Sequence, residues 1–192
     1  MSSVVLTGNT SGSVTVAVPA VAGSNTATIG AATGTHYPFT AGTAVASTSG
    51  TSIDFTSIPS WVKRITVMFN GVSLNGSSSC LVQAGSGSVQ STGYSFTYGV
   101  AASGTAWTAA TVSNGVPTAG GSASRLLSGH IVLTNLSGNL WVGSGVTNAT
   151  NTDVTLFASG NVTLSGTLDR VRITTVNGTD TFDAGSINIL YE

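Results

Sequence analysis

Residues that could act as acids, bases, nucleophiles or metal ligands are scarce in this chain of 192 residues. It contains two histidines, one cysteine, six Asp and Glu residues and five Lys and Arg residues. His36, His130 and Cys80 fall short of the four-ligand pattern of a zinc site. Serine is too frequent to mark a nucleophile, and the chain has neither a Gly-x-Ser-x-Gly elbow nor a phosphate-binding glycine loop. We therefore expect no enzymatic activity, no cofactor and no resident metal.

The acidic residues near the end of the chain are the nearest approach to a chemical site. Asp169, Asp180 and Asp183 form this group. Paired carboxylates can hydrolyse a glycosidic bond, and carboxylate oxygens can bind Ca²⁺. We favour a structural interpretation, in which Asp180 and Asp183 lie at turns and pair with Arg170 or Arg172 across neighbouring strands. A cation site at Asp180 and Asp183 stays an alternative.

The two histidines also favour structural roles. His36 precedes Tyr37, Pro38 and Phe39, where we expect it to pack. His130 lies inside an apolar run, where strand alternation turns it outward or into an interface. Copies of His130 gathered around a symmetry axis would bind an ion, and this is the alternative to a surface role.

Aromatic side chains are better candidates for binding, since their flat faces can pack against sugar rings. Trp107 lies in a stretch rich in Gly, Ser, Ala and Thr, and we expect it to be exposed. Tyr94 and Tyr98 alternate with polar residues around Phe96, which is typical of a strand facing a core or a subunit interface. We keep Trp107, Tyr94 and Tyr98 as candidate receptor or glycan contacts, and expect Trp61 in the core.

Composition narrows the class of protein that must position these residues. Charged residues make up 6% of the chain, against about 25% in an average soluble domain. A net charge of −1 gives no cationic field for nucleic acid or for an anionic membrane, and no apolar run approaches the roughly 18 residues of a membrane span. With 58 Ser and Thr residues and 25 Gly, the chain favours strands and turns.

The order of the strand patterns predicts an all-β fold. Ile65, Val67 and Phe69 alternate with polar residues along a long predicted strand, residues 62–72, and residues 103–121 are predicted to form a loop. Asn177-Gly178 is typical of a hairpin turn before the closing strand. We predict an antiparallel β-sandwich, jelly-roll-like. Its other strands are expected at residues 53–57, 80–84, 94–98, 128–136, 140–146, 154–157, 161–164 and 170–175.

The front of the chain differs from the rest, because no charged residue precedes Asp54. Residues 13–18 and 25–29 predict two short strands, followed by a loose stretch at 30–34. Such short strands bury little apolar surface alone. We predict a short extended or β-structured attachment segment at residues 1–40 and a distal β-sandwich domain at 41–192.

Several long runs resemble a carboxy-terminal module of tailed-bacteriophage virion proteins of the tail-fibre or head-fibre kind. Residues 13–72 and 125–192 carry the resemblance, whereas residues 73–124 match less well. The front segment is similar to a linker of phage tail and fibre proteins. The matching runs are residues 58–72 (IPSWVKRITVMFNGV), 164–174 (LSGTLDRVRIT), 178–192 (GTDTFDAGSINILYE) and, for the linker, 14–34.

This resemblance implies a virion protein that is a homotrimer and that is assembled in the cytoplasm of the host bacterium. We expect a fibre or appendage that displays its β-domain to a host-surface glycan or protein, with residues 1–40 bound to another virion protein. The stretch 73–124, which is richest in turns, is where we expect host contact. A capsid decoration or head-fibre protein is the alternative, and a glycan hydrolase of a tail spike is a weaker second one.

Overall fold

The computed structural model describes residues 3–7, 13–17 and 39–192, and none of these is helical. The chain divides into two compact units, residues 1–36 and 37–192. In the first unit, β1 (Ser3–Thr7) pairs antiparallel with β2 (Ser13–Ala17). Strand β2 confirms one sequence prediction, whereas the strand predicted at 25–29 and the stretch 30–34 lie outside the described residues.

The described residues of the second unit, 39–192, form fourteen strands. They are β3 (Thr40–Ala41), β4 (Val45–Ala46), β5 (Ser52–Thr56), β6 (Arg64–Leu74), β7 (Cys80–Ser86), β8 (Ser88–Val89), β9 (Tyr94–Ala102), β10 (Thr108–Val112), β11 (Val116–Pro117), β12 (Leu127–Ser137), β13 (Leu140–Ala149), β14 (Val154–Thr163), β15 (Arg170–Thr175) and β16 (Phe182–Tyr191).

These strands form two antiparallel sheets packed together. The larger sheet has nine strands in the order β10-β9-β14-β13-β12-β6-β16-β3, with β4 also pairing with β16. The smaller sheet has the order β11-β7-β15-β5, with β8 paired to β7. The prediction of an all-β antiparallel sandwich is therefore confirmed. Its jelly-roll detail is not confirmed by this strand order.

The core lies between the two sheets and follows the alternation in the sequence. Ile65 and Val67 of β6 are fully buried, and Phe69 is 5% exposed. Ile173 of β15 is fully buried on the smaller sheet. Trp61, predicted for the core, is half-buried, with its ring centroid 5.9 Å from that of Tyr191.

Two local predictions are wrong. Asn177-Gly178 does not close a hairpin, because β15 belongs to the smaller sheet and β16 to the larger one. The turn instead carries the chain from one sheet to the other. Residues 103–121 are not all loop, since they contain β10 and β11. In addition, the strands predicted at 154–157 and 161–164 are one continuous strand, β14.

Candidate binding surfaces

Most of the charged side chains hold the surface of the fold together. Asp169 accepts from Nε of Arg170 at 2.7 Å, and Asp54 accepts from Nε of Arg172 at 2.7 Å. Arg64 pairs with Glu192, the last residue of the chain. The predicted pairing of Asp180 and Asp183 with Arg170 or Arg172 is wrong, because both arginines bind other carboxylates.

Asp180 instead fastens the β15–β16 turn to the loop that follows β6. Its carboxylate accepts a hydrogen bond of 2.7 Å from the Asn177 side-chain amide and one of 2.8 Å from the Ser78 N–H. Both hydrogen bonds lower the pKa of Asp180, and the bond from Asn177 has the larger effect. Asp180 is therefore a structural residue. No group of three or more His, Cys, Asp or Glu residues suited to a metal occurs in the described part of the chain.

The remaining candidates for chemistry are separated from one another. His130 is exposed on β12, and His36 lies outside the described residues. Cys80 is 3% exposed, and burial raises the pKa of its thiol to about 12, so it is not poised as a nucleophile. The described residues form no helix that could cross a membrane.

Tyr94 is placed in the core, out of reach of a receptor. It is 4% exposed, and its hydroxyl accepts from the Ala84 N–H at 2.7 Å and donates to the Ala84 carbonyl at 3.2 Å. Burial raises its pKa to about 12. Tyr94 thus fastens β9 of the larger sheet to β7 of the smaller sheet.

Trp107 lies on the outer face of the larger sheet and is 70% exposed. Its ring stacks on that of Phe157, with the centroids 5.8 Å apart and the planes 13° from parallel. A Cβ atom at Gly99 would lie 3.3 Å from Cζ3 of Trp107, so the missing side chain of Gly99 leaves room for the indole. The strand β14 therefore supplies the partner that holds Trp107 in the loop before β10.

The stacked pair is part of a broad uncharged surface. In the ladder, His130 lies opposite Val146, Val146 opposite Phe157 and Phe157 opposite Gly99. One row of positions therefore crosses four strands, and Trp107 covers the glycine at its end. The residues around a shallow groove of about 570 Å³ define what we call the Trp107 face, and none of them is Lys, Arg, Asp or Glu. They are Thr97, Tyr98, Gly99, Trp107, Ala109, His130, Val132, Ser144, Gly145, Val146, Phe157, Ala158 and Ser159.

A second concavity opens between the sheets, and we call it the end cleft. It measures about 790 Å³, within the roughly 300–1,000 Å³ of small-molecule sites. Residues of β9, β10 and β14 form one side, and β11 and the loop before β7 form the other. Tyr98 is half-buried here and packs against the core, so it borders both the end cleft and the Trp107 face.

The chain matches no protein-family model, no curated protein and no solved structure. The Trp107 face and the end cleft are therefore candidate binding sites on the basis of their geometry alone. Sequence reasoning anticipated the exposure of Trp107 but missed its partner Phe157. The strand alternation contains the missing information, because Leu156 and Ala158 point inward and Phe157 must then point outward.

Proposed function

We propose that this chain is a non-enzymatic structural protein of a tailed-bacteriophage virion, a fibre-like appendage whose β-sandwich domain binds the host surface. Residues 1–40 attach it to another virion protein. The observation that carries the proposal is the Trp107 face, an exposed aromatic stack on a regular sheet. The rows of sheet hydrogen bonds beneath it fix the rings before a ligand arrives, which lowers the entropic cost of binding.

The side chains of the Trp107 face are of the kind found at binding sites. Trp107, Phe157 and Val146 expose 70%, 41% and 43% of their surface within one patch, and such patches mark interaction sites on soluble proteins. A ligand that covers them desolvates no Lys, Arg, Asp or Glu side chain of the face, so little of the binding energy is lost. Tryptophan is also the residue type most enriched among strong contacts at interfaces.

In this proposal the protein assembles as a homotrimer, as the resemblance to phage fibre modules implies. Within the described residues, β10 ends the larger sheet and β5 ends the smaller one, and neither has a further strand beside it. Open edges of this kind favour pairing with other chains. Light scattering at micromolar concentration checks the assembly, and a stable monomer would contradict it.

The test of the function is binding of the fluorescently labelled full chain to host cells of the phage. We expect Trp107→Ala to weaken binding by roughly thirtyfold, because truncating a strong aromatic contact costs about 2 kcal/mol. Leu136→Ala is the matched control, since Leu136 is 64% exposed but lies outside the Trp107 face. Equal binding by Trp107→Ala and the wild type would reject this face as the receptor contact.

A second measurement checks where the chain is displayed. Antibody labelling of intact virions should mark the tail. Labelling of the head would replace the tail-fibre assignment with the capsid decoration or head-fibre role.

A further inference from the structure

The end cleft combines an apolar floor with a polar rim. Leu81, Val112 and Leu156 line it with aliphatic side chains. Around them lie hydroxyl groups, of which those of Tyr98, Thr111 and Ser113 make no hydrogen bond with the described residues. A surface that offers aliphatic contacts and unused hydroxyls together is matched by a ligand with the same mixture, as in a sugar ring.

Arg125 is the one cation that lines the end cleft. All eleven Lys, Arg, Asp and Glu side chains lie in the described part of the chain, and so does every side chain that could form an ion pair with Arg125. The other three arginines each bind a carboxylate. Arg125 has no ion pair and donates through Nη1 to the Gly120 carbonyl, which leaves most of its five N–H groups without a partner among the described residues.

No carboxylate of the protein lines the cleft beside Arg125. The carboxylate of Asp180 accepts hydrogen bonds from Ser78 and Asn177, which line the cleft, but Asp180 itself is not a lining residue and makes no ion pair with Arg125. A guanidinium with free N–H groups in a half-enclosed site binds a carboxylate through parallel hydrogen bonds. The charge of the cleft therefore favours an anionic ligand.

We propose that the end cleft binds a sugar that carries a carboxylate, such as a uronic acid residue of a glycan. Arg125 pairs with the carboxylate, the hydroxyls of Tyr98, Thr111 and Ser113 bind the hydroxyls of the sugar, and the aliphatic floor packs against its ring. The source of such a glycan on a host surface rests on the proposed function. Binding of the free sugar to the purified chain does not.

The experiment is a titration of the full-length, isotopically labelled protein with sodium glucuronate, followed by NMR. Glucose serves as the neutral comparison, and inorganic phosphate as the comparison for an anion that is not a sugar. We expect glucuronate to shift the resonances of residues 111–113 and Arg125, and glucose to bind at least tenfold more weakly. Phosphate should leave the resonances of 111–113 unchanged.

Two variants separate the charge from the shape of the site. Arg125→Gln should weaken glucuronate binding at least tenfold. Tyr98→Phe removes only a hydroxyl that has no partner in the described part of the chain, and it should weaken binding a few-fold. Lys63→Gln is the matched control, since it removes one positive charge outside the cleft and should leave binding unchanged. Preserved NMR dispersion of Tyr98→Phe shows that its loss of affinity is not a loss of fold.

The other results distinguish a failure of this proposal from a failure of the proposed function. Equal binding of glucuronate and glucose, or full affinity of Arg125→Gln, would reject the anionic class. Binding of phosphate at the same residues would reject the sugar. Shifts confined to Trp107 and Phe157 would move the sugar to the other face and leave the proposed function intact. Failure of labelled protein to bind host cells, with glucuronate still bound in the cleft, would reject the receptor role alone.

Discussion

The two faces of the larger sheet each carry a phenylalanine, one buried in the core and one exposed to solvent. Phe96 of β9 points inward, is 1% exposed and lies against positions 143 and 160, where glycines leave room for its ring. Phe157 of β14 points outward, is 41% exposed and is covered in part by Trp107. The two residues lie in neighbouring, hydrogen-bonded strands of the same sheet.

The difference lies in what covers each ring. On the inner face, the second sheet excludes water from Phe96, and burial of the ring stabilises the fold. On the outer face, the apolar surface of Phe157 and Trp107 is left uncovered, and its burial becomes available to a partner. The same side-chain chemistry thus contributes to folding on one face and, in our proposal, to recognition on the other.

The largest expected effect tests the inner face. Phe96→Ala should lower the free energy of unfolding by about 3–5 kcal/mol, because it removes a buried ring and leaves a cavity between the sheets. Phe157→Ala, the same change on the outer face, should cost only about 0.5–1.5 kcal/mol, the value of an exposed aromatic pair. Urea denaturation of both variants measures the two losses of unfolding free energy. Similar losses would contradict the different roles of the two faces.

Alkaline pH provides a second probe of the inner face. Burial raises the pKa of Tyr94 from 10.0 to about 12 and that of Cys80 from 9.0 to about 12. Between these values the unfolded chain loses protons that the folded chain keeps, so stability is complete below pH 9 and falls as the pH rises toward 12. By pH 11 the loss from Tyr94 alone is about 1.4 kcal/mol, roughly half of its full loss above pH 12. Unfolding midpoints at pH 8 and pH 11 measure the combined loss from both groups, and equal midpoints would contradict their burial.

Tyr94→Phe tests the link between the two sheets at neutral pH. The phenyl ring keeps the packing but leaves the buried Ala84 N–H without the hydroxyl that it contacts at 2.7 Å. We expect a loss of about 1–3 kcal/mol at pH 7 and a shallower decline at high pH, since one of the two titrating groups is gone. The control is Tyr98→Phe, which removes a hydroxyl that makes no hydrogen bond with residues 39–192 and should cost little.

The smallest effect is expected at the outer surface of the smaller sheet. Asp54→Asn breaks the ion pair with Arg172, in which both side chains are 37% exposed. We expect a loss of about 0.2–1 kcal/mol that shrinks further in 1 M salt. A loss comparable to that of Phe96→Ala would show that outer contacts carry more of the stability than the comparison of faces allows.

The sequence predicts well which side chains of a strand are buried, but it predicts poorly which strands pair with one another. Ile65, Val67 and Phe69 are buried as their spacing indicates, because a strand with one buried face must repeat every two residues. The residue types at Asn177-Gly178 predict a hairpin, yet the strands on either side of this turn belong to different sheets. Turn chemistry is local, whereas the choice of a partner strand depends on the whole core.

The two candidate surfaces differ in the same respect: one depends on a local stretch of sequence and the other on the whole fold. The exposure of Trp107 follows from the small, polar residues around it. The end cleft follows from no single stretch, because Tyr98, Arg125, Leu156 and Asn177 meet there only after both sheets have formed. Arg125 carries no local pattern that distinguishes it from the arginines held in ion pairs.

Hydroxyl-radical footprinting of the three tryptophans tests the central claim most directly, with the protein free and bound to host cells. In the free protein, Trp107 should oxidise fastest and Trp141, which is 3% exposed, should stay protected. On cells, our account predicts that Trp107 becomes protected while the rates of Trp61 and Trp141 do not change. An unchanged oxidation rate of Trp107 in the bound protein would contradict the assignment of the outer face to recognition.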